Sequence, residues 1–579
     1  MNKDSPTRWV RIRILVMGVI FLVLFSGLGL RAVKVQLIQG EQLAKKAADQ
    51  YECSLTRSGK RGVIFDRHHR ELAVSIKVPS ICAYPRKVQN LTGTSEALAH
   101  VLNMDRDVVL DRLSSQKSFV WIKRYVNYMN VQEIKKLNLA GIGFVMESRR
   151  YYPNKGLAAQ VIGFTGIDGH GLEGLEYYYE SYLKGKSSIK TILRDALGRT
   201  FTTKDVEFNP PDGFNLILNL DKVIQYIAED ALAEAVKTYL AVSGIVIVVA
   251  PDTGAILAIA HYPSFNPNIY NEFPPSTWRN RAVSDTFEPG STMKTFVAIA
   301  ALESGVSTPE SMFYCEKGRY PLGRYVIHDL YPHGWLSLQE IIRVSSNIGA
   351  VKVGQKVGNE KLYRTLKGFG FGEKTGIDCP GEAKGLLRDF TRWSSIDAGA
   401  ICFGQGISVS PIQLTMAYAA IANKGIMMKP RLVSAIIDNQ GRIIKRFNPQ
   451  KIRRVVSENT ATTVTQILKQ VVMRGGTGVK ANLTSYTVAG KTGTAQKVSP
   501  KGGYEKDKNI VSFVGFVPAD DPKLVILVLI DEPRKCGYGG VVAAPVFKRI
   551  AQETLHYLSI PPERNVSPLM VKIGVRESG

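Results

Sequence analysis

The stretch SGIVIVVAPDTGAILAIAHY, Ser243–Tyr262, holds two apolar, β-rich runs on either side of Pro251-Asp252-Thr253-Gly254. Such runs, broken by a four-residue turn of this chemistry, predict an antiparallel hairpin. A second hairpin of the same texture comes late in the chain, where NIVSFVGFV and KLVILVLIDEP are joined across PADDP. Between them lie mainly helical segments, including VSPIQLTMAYAAIANKG, and APVFKRIAQETLHYL comes after the second hairpin. Strands at both ends with helices between them predict an antiparallel sheet assembled from distant parts of the chain and covered by helices, an α+β layout.

Working outward, FNLILNLD reads as a strand, Lys222 to Tyr239 as an amphipathic helix, and NPPDG, Asn209 to Gly213, as the turn where the domain begins. The chain of 579 residues is too long for one core, so at least two folded units are expected. The domain is drawn as 213–560, with a tail at 561–579 and a mixed, extended module at 36–212. Two stretches of that module stand out, RGVIFDRHHRELA (Arg61 to Ala73) and Glu147 to Gly185. His68 and His69 sit side by side on an Arg-flanked turn and are assigned no chemistry. The six cysteines are scattered without a C-x-x-C, which indicates neither a zinc site nor a disulfide framework.

Ile14 to Leu30 is an uncharged apolar run, extendable to Val33, and Lys3, Arg8, Arg11 and Arg13 precede it against Asp4 alone. A retained transmembrane anchor at 14–33, a cytoplasmic head at 1–13 and an exported remainder are expected from the run and the positive-inside rule. A cleaved signal peptide is the alternative, with Gly27 and Gly29 at small-x-small spacing. The excess of 75 Lys+Arg over 50 Asp+Glu, +25, suits an anionic partner or a solvated basic surface. Export excludes cytosolic nucleotides and chromosomal DNA as partners.

Candidate chemistry lies between the hairpins. In FEPGSTMKTFVAIAALESG the turn Pro289-Gly290 is followed by apolar residues at helical spacing, which puts Ser291 at a helix start and Lys294 one turn on, on the same face. A serine hydroxyl needs a base, and a lysine serves as one only with a lowered pKa. Ser-x-x-Lys also occurs at Ser114–Lys117 and Ser187–Lys190, so the Ser291 copy is singled out by two motifs downstream of it. RVSSNIGAVKVG offers Ser345 and Asn347, and VAGKTGTAQK offers Lys491, Thr492, Gly493 and Thr494. The latter stretch lacks the upstream glycine of a P-loop and reads as a strand. A second Lys-Thr-Gly, at Lys374, sits among glycines and prolines in an expected loop. His328 and Asp329 tempt one toward a Ser-His-Asp triad, but the lysine already answers for Ser291.

Ser-x-x-Lys, Ser-x-Asn and Lys-Thr-Gly in this order resemble the penicillin-binding D,D-transpeptidases. RGVIFDR, GLEGLEYYY, SFNPN, FEPGSTMK, FGQGISVSPIQL, GKTGTAQ and VAAPVF extend the resemblance to class B, the monofunctional transpeptidases, over nearly the whole chain. VGFVPADDPKLVILVLIDEP followed by YGGVVAAPVF is similar to the division-specific, FtsI-type members. The middle motif, Ser345-Ser346-Asn347, departs from Ser-Asp-Asn only at its central residue.

The resemblance implies a penicillin-binding transpeptidase fold on a pedestal or dimerisation module, and a reaction that needs no cofactor and no metal. It implies Ser291 as nucleophile toward a peptidoglycan stem pentapeptide ending in D-Ala-D-Ala, Lys294 as base, Ser345 as proton relay, and Asn347 as a donor-peptide contact that orients Lys294. Lys491, Thr492 and Thr494 would hold the terminal carboxylate, the Lys491 charge would depress Lys294, and Gly493 would let substrate lie against the strand. Backbone N–H groups of Ser291 and Thr494 would form the oxyanion hole. An acceptor peptide amine would complete the cross-link, and β-lactams would trap Ser291. The implied setting is the cytoplasmic membrane, with the catalytic domain outside and a SEDS-family glycosyltransferase of the FtsW type and other division proteins as partners. An elongation-type enzyme, a β-lactamase or β-lactam sensor, and a division scaffold with little catalysis are the alternatives.

Overall fold

The structure, a computed structural model, describes residues 6–194, 200–201, 210–323, 325–499 and 503–563. Lys3 and Asp4 of the expected head, Asn209 of the expected boundary turn, and the tail beyond residue 563 lie outside the described residues. The chain forms two compact units, Met1–Gly59 with Gly185–Asp212, and Lys60–Lys184 with Gly213–Gly579.

In the first unit a helix over Pro6–Val33 passes into a π-helical turn at Lys34–Ile38. Arg8–Ile38 is long and apolar enough to cross a membrane, and its most apolar stretch is not buried inside the protein. At ~1.5 Å per residue such a helix is longer than the ~30 Å hydrocarbon core of a bilayer. The same unit pairs Glu52–Ser58 antiparallel with Ser187–Arg194.

The second unit contains both expected hairpins in one five-stranded antiparallel sheet. Its order is Ala255–Tyr262, Ser243–Ala250, Leu524–Asp531, Tyr504–Val517, Ala489–Val498. The strands read as unbroken apolar runs because both faces are covered. Ile245, Ile247, Val249, Leu527 and Leu529 enter one core, and Val246, Val248, Ile526, Val528 and Ile530 the other. Helices Lys222–Thr238 and Gly539–Tyr557 supply the second core, and Lys294–Glu303 and Pro411–Ala422 the first. Every residue of Pro411–Ala422 is buried, and its start is fixed by a capping box between Ser410 and Gln413. The Lys-Thr-Gly strand Ala489–Val498 is an edge of this sheet, with backbone available for pairing.

A second sheet joins Ile443–Arg446, Val433–Ile437, Asn215–Leu218, Ile64–Phe65, Glu71–Ala83 and Val120–Lys123, with Ile142–Tyr151 also on Glu71–Ala83. It therefore crosses residue 213. Below it, the buried Glu176 carboxylate receives the guanidinium of Arg61 at 2.5 Å and that of Arg150 at 2.6 Å. Two cations on one buried anion hold its pKa down against the cost of burial. His68 reaches Asp221 at 3.1 Å, and His69 lies on a surface turn with φ 61°.

Candidate active site

The nucleophile turn begins at Gly290, whose φ is +57° and where an added Cβ would lie 2.6 Å from the carbonyl oxygen of Thr494. Only glycine allows the turn and the edge strand to approach this closely. Gly290–Met293 form a single 3₁₀ turn that continues into the α-helix Lys294–Glu303. The turn is braced by the buried Tyr418, whose hydroxyl donates to the carbonyl of Thr292 at 3.1 Å and bonds Thr295 Oγ1 at 2.8 Å.

Lys294 is fully buried, and its Nζ donates to Ser291 Oγ at 3.0 Å and to Ser345 Oγ at 3.2 Å, with a further short bond to the Ser345 carbonyl. Burial lowers its pKa to about 7, partly offset by the charge of Asp329. A neutral amine at that distance from a serine hydroxyl can take its proton. Lys491, also fully buried, donates to the same Ser345 Oγ at 2.9 Å. Its pKa is pushed well below the ordinary lysine value, by burial first and then by repulsion from Lys294. Burial is the leading cause for both amines, and their mutual repulsion disfavours charging the two together, because two ammonium groups cannot share one hydroxyl in a dry site.

Ser345 occupies the left-handed region, φ 64° and ψ 40°, where it ends the helix Leu338–Val344 before Asn347–Val357 begins. A non-glycine residue in that conformation stores strain, and here the strain aims one hydroxyl at both lysines. Ser346 caps the next helix by accepting from Gly349 N–H at 2.9 Å. The Asn347 side chain donates to the His328 carbonyl at 2.9 Å, and no hydrogen bond joins it to Lys294 among the described residues. Asp329 receives Asn347 N–H at 2.5 Å, Ile348 N–H at 3.0 Å and the Ser346 hydroxyl at 2.5 Å. His328 is exposed and contributes only its carbonyl, so these two residues serve a helix start rather than a triad.

On the edge strand Thr494 is exposed, with Gly539 N–H 3.4 Å from its Oγ1. Thr492 is buried, and its hydroxyl bonds Thr477 Oγ1 at 2.8 Å. When Thr477 is the donor, Thr492 keeps a proton to offer an anion. Gly493 differs from expectation. A Cβ there would meet Ser512 Oγ at 2.3 Å and the Thr292 methyl at 3.0 Å, so the missing side chain lets the strand pack on the nucleophile turn and its neighbour strand. The remaining motif copies lie on other elements. Ser114 ends a surface helix, Ser187 and Lys190 lie on a strand, and Lys374 is exposed in a loop.

Thr477, Asp329 and Tyr418 are the supports that motif spacing did not point to. Among the described residues no group of three or more His, Cys, Asp or Glu side chains is placed to hold a metal ion.

The chain is similar to known proteins. The family described as "Penicillin binding protein transpeptidase domain" matches residues 244–552, and "Penicillin-binding Protein dimerisation domain" matches 56–218. Stage V sporulation protein D of Bacillus subtilis is 37% identical over 95% of this chain and 86% of its own. The peptidoglycan D,D-transpeptidase FtsI of Escherichia coli is 35% identical over 95% of this chain and 92% of its own. The crystal structure of penicillin-binding protein 3 from Mycobacterium tuberculosis, complexed with aztreonam, superposes with a TM-score of 0.70 at 29% identity, covering 88% of this chain and 98% of that one. With the transpeptidase domain matched across both hairpins and relatives aligned almost end to end, the chain belongs to the class B penicillin-binding proteins, the monofunctional peptidoglycan D,D-transpeptidases.

Proposed function

We propose that the enzyme cross-links stem peptides through an acyl-enzyme on Ser291. The observation that carries this reading is the neutral-capable Lys294 amine 3.0 Å from Ser291 Oγ at the start of a helix. Lys294 takes the proton as Ser291 attacks the penultimate D-Ala carbonyl, and Ser345, bonded to both lysines, relays a proton to the departing D-Ala amine. N–H groups of Ser291 and Thr494 stabilise the oxyanion. Lys491, Thr492 and Thr494 receive the terminal carboxylate, and Asn347 contacts the donor peptide. Gly493 gives these groups their spacing by letting the edge strand sit on the turn.

The test is labelling with a fluorescent penicillin followed by peptide mapping. Label on Ser291 that disappears in Ser291→Ala, while the variant remains folded, is the expected result. Label on Ser114 or Ser187, or label that survives the substitution, overturns the assignment.

We further propose a septal role for the enzyme in the cytoplasmic membrane. The N-terminus would lie inside and the module at 36–212 would serve as a pedestal for the catalytic domain at 213–560. The FtsI relative supports this, as does the apolar helix with its basic head. Division proteins and an FtsW-type glycosyltransferase would be its partners. The sporulation relative favours a second reading, a role confined to sporulating cells. A fluorescent fusion at midcell in growing cells supports the septal role, and expression only during sporulation supports the second. Protease added to spheroplasts should leave only a short N-terminal piece.

A further inference from the structure

The second Lys-Thr-Gly, Lys374-Thr375-Gly376, has surroundings of its own. Glu382 closes the loop by accepting Thr375 N–H at 2.6 Å and Gly376 N–H at 3.1 Å, so two residues of the motif serve the turn and the exposed Lys374 does not. Lys374 lines a cavity of about 110 Å³ in the second unit. The apolar lining comes from three elements. Phe369 follows the helix Asn359–Gly368, Met416 comes from Pro411–Ala422, and Met427 and Met428 from the strand Ile426–Met428. Arg453 lines it as well, from the strand Lys451–Arg454 that pairs antiparallel with Ile426–Met428.

The charges around the cavity do not balance. Its one carboxylate, Glu373, is taken by Lys367 at 2.9 Å, and this hydrogen bond is the leading cause of its lowered pKa. Arg453 donates from Nε to the Gly368 carbonyl at 2.8 Å and reaches Glu373 only at 3.7 Å. Lys429 stands on the far side of the loop, its Nζ 3.8 Å from where a Cβ on Gly376 would lie. Among the described residues neither Lys374 nor Lys429 pairs with a carboxylate. An apolar pocket with a few convergent cations is built for an anion on an apolar body. Three thioethers and a phenyl ring favour an aromatic body, because sulfur makes favourable contacts with ring edges. Size agrees, since a dry cavity of ~150 Å³ holds benzene and this smaller one takes a single ring with its substituent outside.

The cavity is separate from the catalytic groups. Phe369 packs edge-on against Phe296, ring centroids 4.9 Å apart. Phe296 follows Lys294 by two residues, ~200° around the helix, and so faces away from Ser291 and Ser345. We propose that this cavity is a binding site for a small aromatic carboxylate, with the ring among Phe369 and the three methionines and the carboxylate held by Lys374 and Arg453.

The experiment uses the full-length enzyme in detergent, isotope-labelled at its methionine methyls and acylated beforehand with penicillin so that no carboxylate is drawn to Lys491. The probes are benzoate, its neutral isostere benzamide, and benzylamine, which is a cation at neutral pH. Methyl signals of Met416, Met427 and Met428, assigned by single Met→Leu substitutions, report occupancy. Benzoate should shift these three signals saturably at millimolar concentration, as expected of a ligand of this size. Benzamide should bind about tenfold more weakly, as the loss of one charge-assisted contact implies, and benzylamine should leave the signals in place. In Lys374→Gln, a substitution at an exposed position, benzoate should weaken to the level of benzamide. Signals of the three methionines that do not move with benzoate overturn the site. Equal affinity for benzoate and benzamide in the wild type overturns the anion's part in it, as does a full preference for benzoate that survives in Lys374→Gln. The three-probe series in the wild type decides the matter should the variant not fold.

Discussion

Lys294 and Lys491, nearly 200 residues apart in sequence, reach the same hydroxyl, 3.2 and 2.9 Å from Ser345 Oγ. Both amines are fully buried, and both are lowered from the ordinary lysine value. Burial thus favours the neutral form of both amines, the form in which Lys294 can act as a base. The strained backbone of Ser345 is what lets one side chain serve both.

The pH dependence of acylation is set by Lys294. The base must be neutral, so the rate should fall as pH drops through about 7, where Lys294 becomes protonated. Asp329 stabilises the ammonium form. Asp329→Asn should therefore move this acid limb to lower pH, although it also weakens the start of the Asn347–Val357 helix and slows the reaction overall. Second-order rates of penicillin acylation from about pH 5 to 9 check both effects. A limb that stays in place in Asp329→Asn would separate Asp329 from the base.

The nucleophile turn has little tolerance. Gly290→Ala puts a Cβ 2.6 Å from Thr494 O at φ +57°, so the turn or the edge strand must shift. A misplacement of that order costs about 10²-fold in a positioned reaction, and acylation should fall accordingly while the circular dichroism spectrum is retained. An acylation rate within a factor of three of wild type would show that the turn relaxes without moving Ser291.

What the sequence made legible is what depends on local pattern. The hairpin at Ser243–Tyr262 and the helix at Lys222–Thr238 are each written in neighbouring residues. Ser291 and Lys294 could be paired because helical spacing alone joins them. The second sheet was not readable, since it pairs Ile64–Phe65 with Asn215–Leu218 and the latter with Val433–Ile437, contacts no local period encodes. Thr477 escapes for the same reason, and so does the role of Asp329 as the brace of a helix start. Each acts through a backbone or hydroxyl brought to it by a remote segment. Gly493 was identified as essential space, but the neighbour that needs the space, Ser512, became known only with the register of Ala489–Val498 against Tyr504–Val517.

Burial of neutral amines also affects stability. For Lys294 the folded pKa lies below the unfolded value, so between about 7 and 10.5 the unfolded chain binds more protons and this group's contribution to stability rises with pH. Lys294→Met removes the term with little change in volume. It should abolish acylation, raise the melting temperature at pH 7 by ~2 °C or more, and lose part of its advantage as pH rises toward 10. A variant less stable than wild type at every pH would mean that the hydrogen bonds of Lys294 outweigh its desolvation.

The last prediction concerns the proton on Lys491. Its pKa is depressed by burial first and then by repulsion from Lys294, both of which favour the neutral amine. A carboxylate arriving beside Thr492 and Thr494 reverses that balance, because an adjacent anion favours the ammonium form. Ligand binding should therefore take up a proton onto Lys491, leaving Lys294 neutral to act on Ser291. Ser291→Ala, which cannot be acylated, isolates the binding step. Titration of this variant with a D-Ala-D-Ala peptide in buffers of different ionisation enthalpy should show uptake of up to one proton at pH 7, declining at lower pH as Lys491 becomes protonated before the ligand arrives. Adding Lys491→Ala should abolish the uptake and weaken binding by the ~1.5 to 3 kcal/mol of one charge-assisted bond. Undiminished uptake in the double variant would move the proton to another group, with Lys294 the first to test. Absence of uptake in Ser291→Ala would show that Lys491 is already charged before the carboxylate arrives.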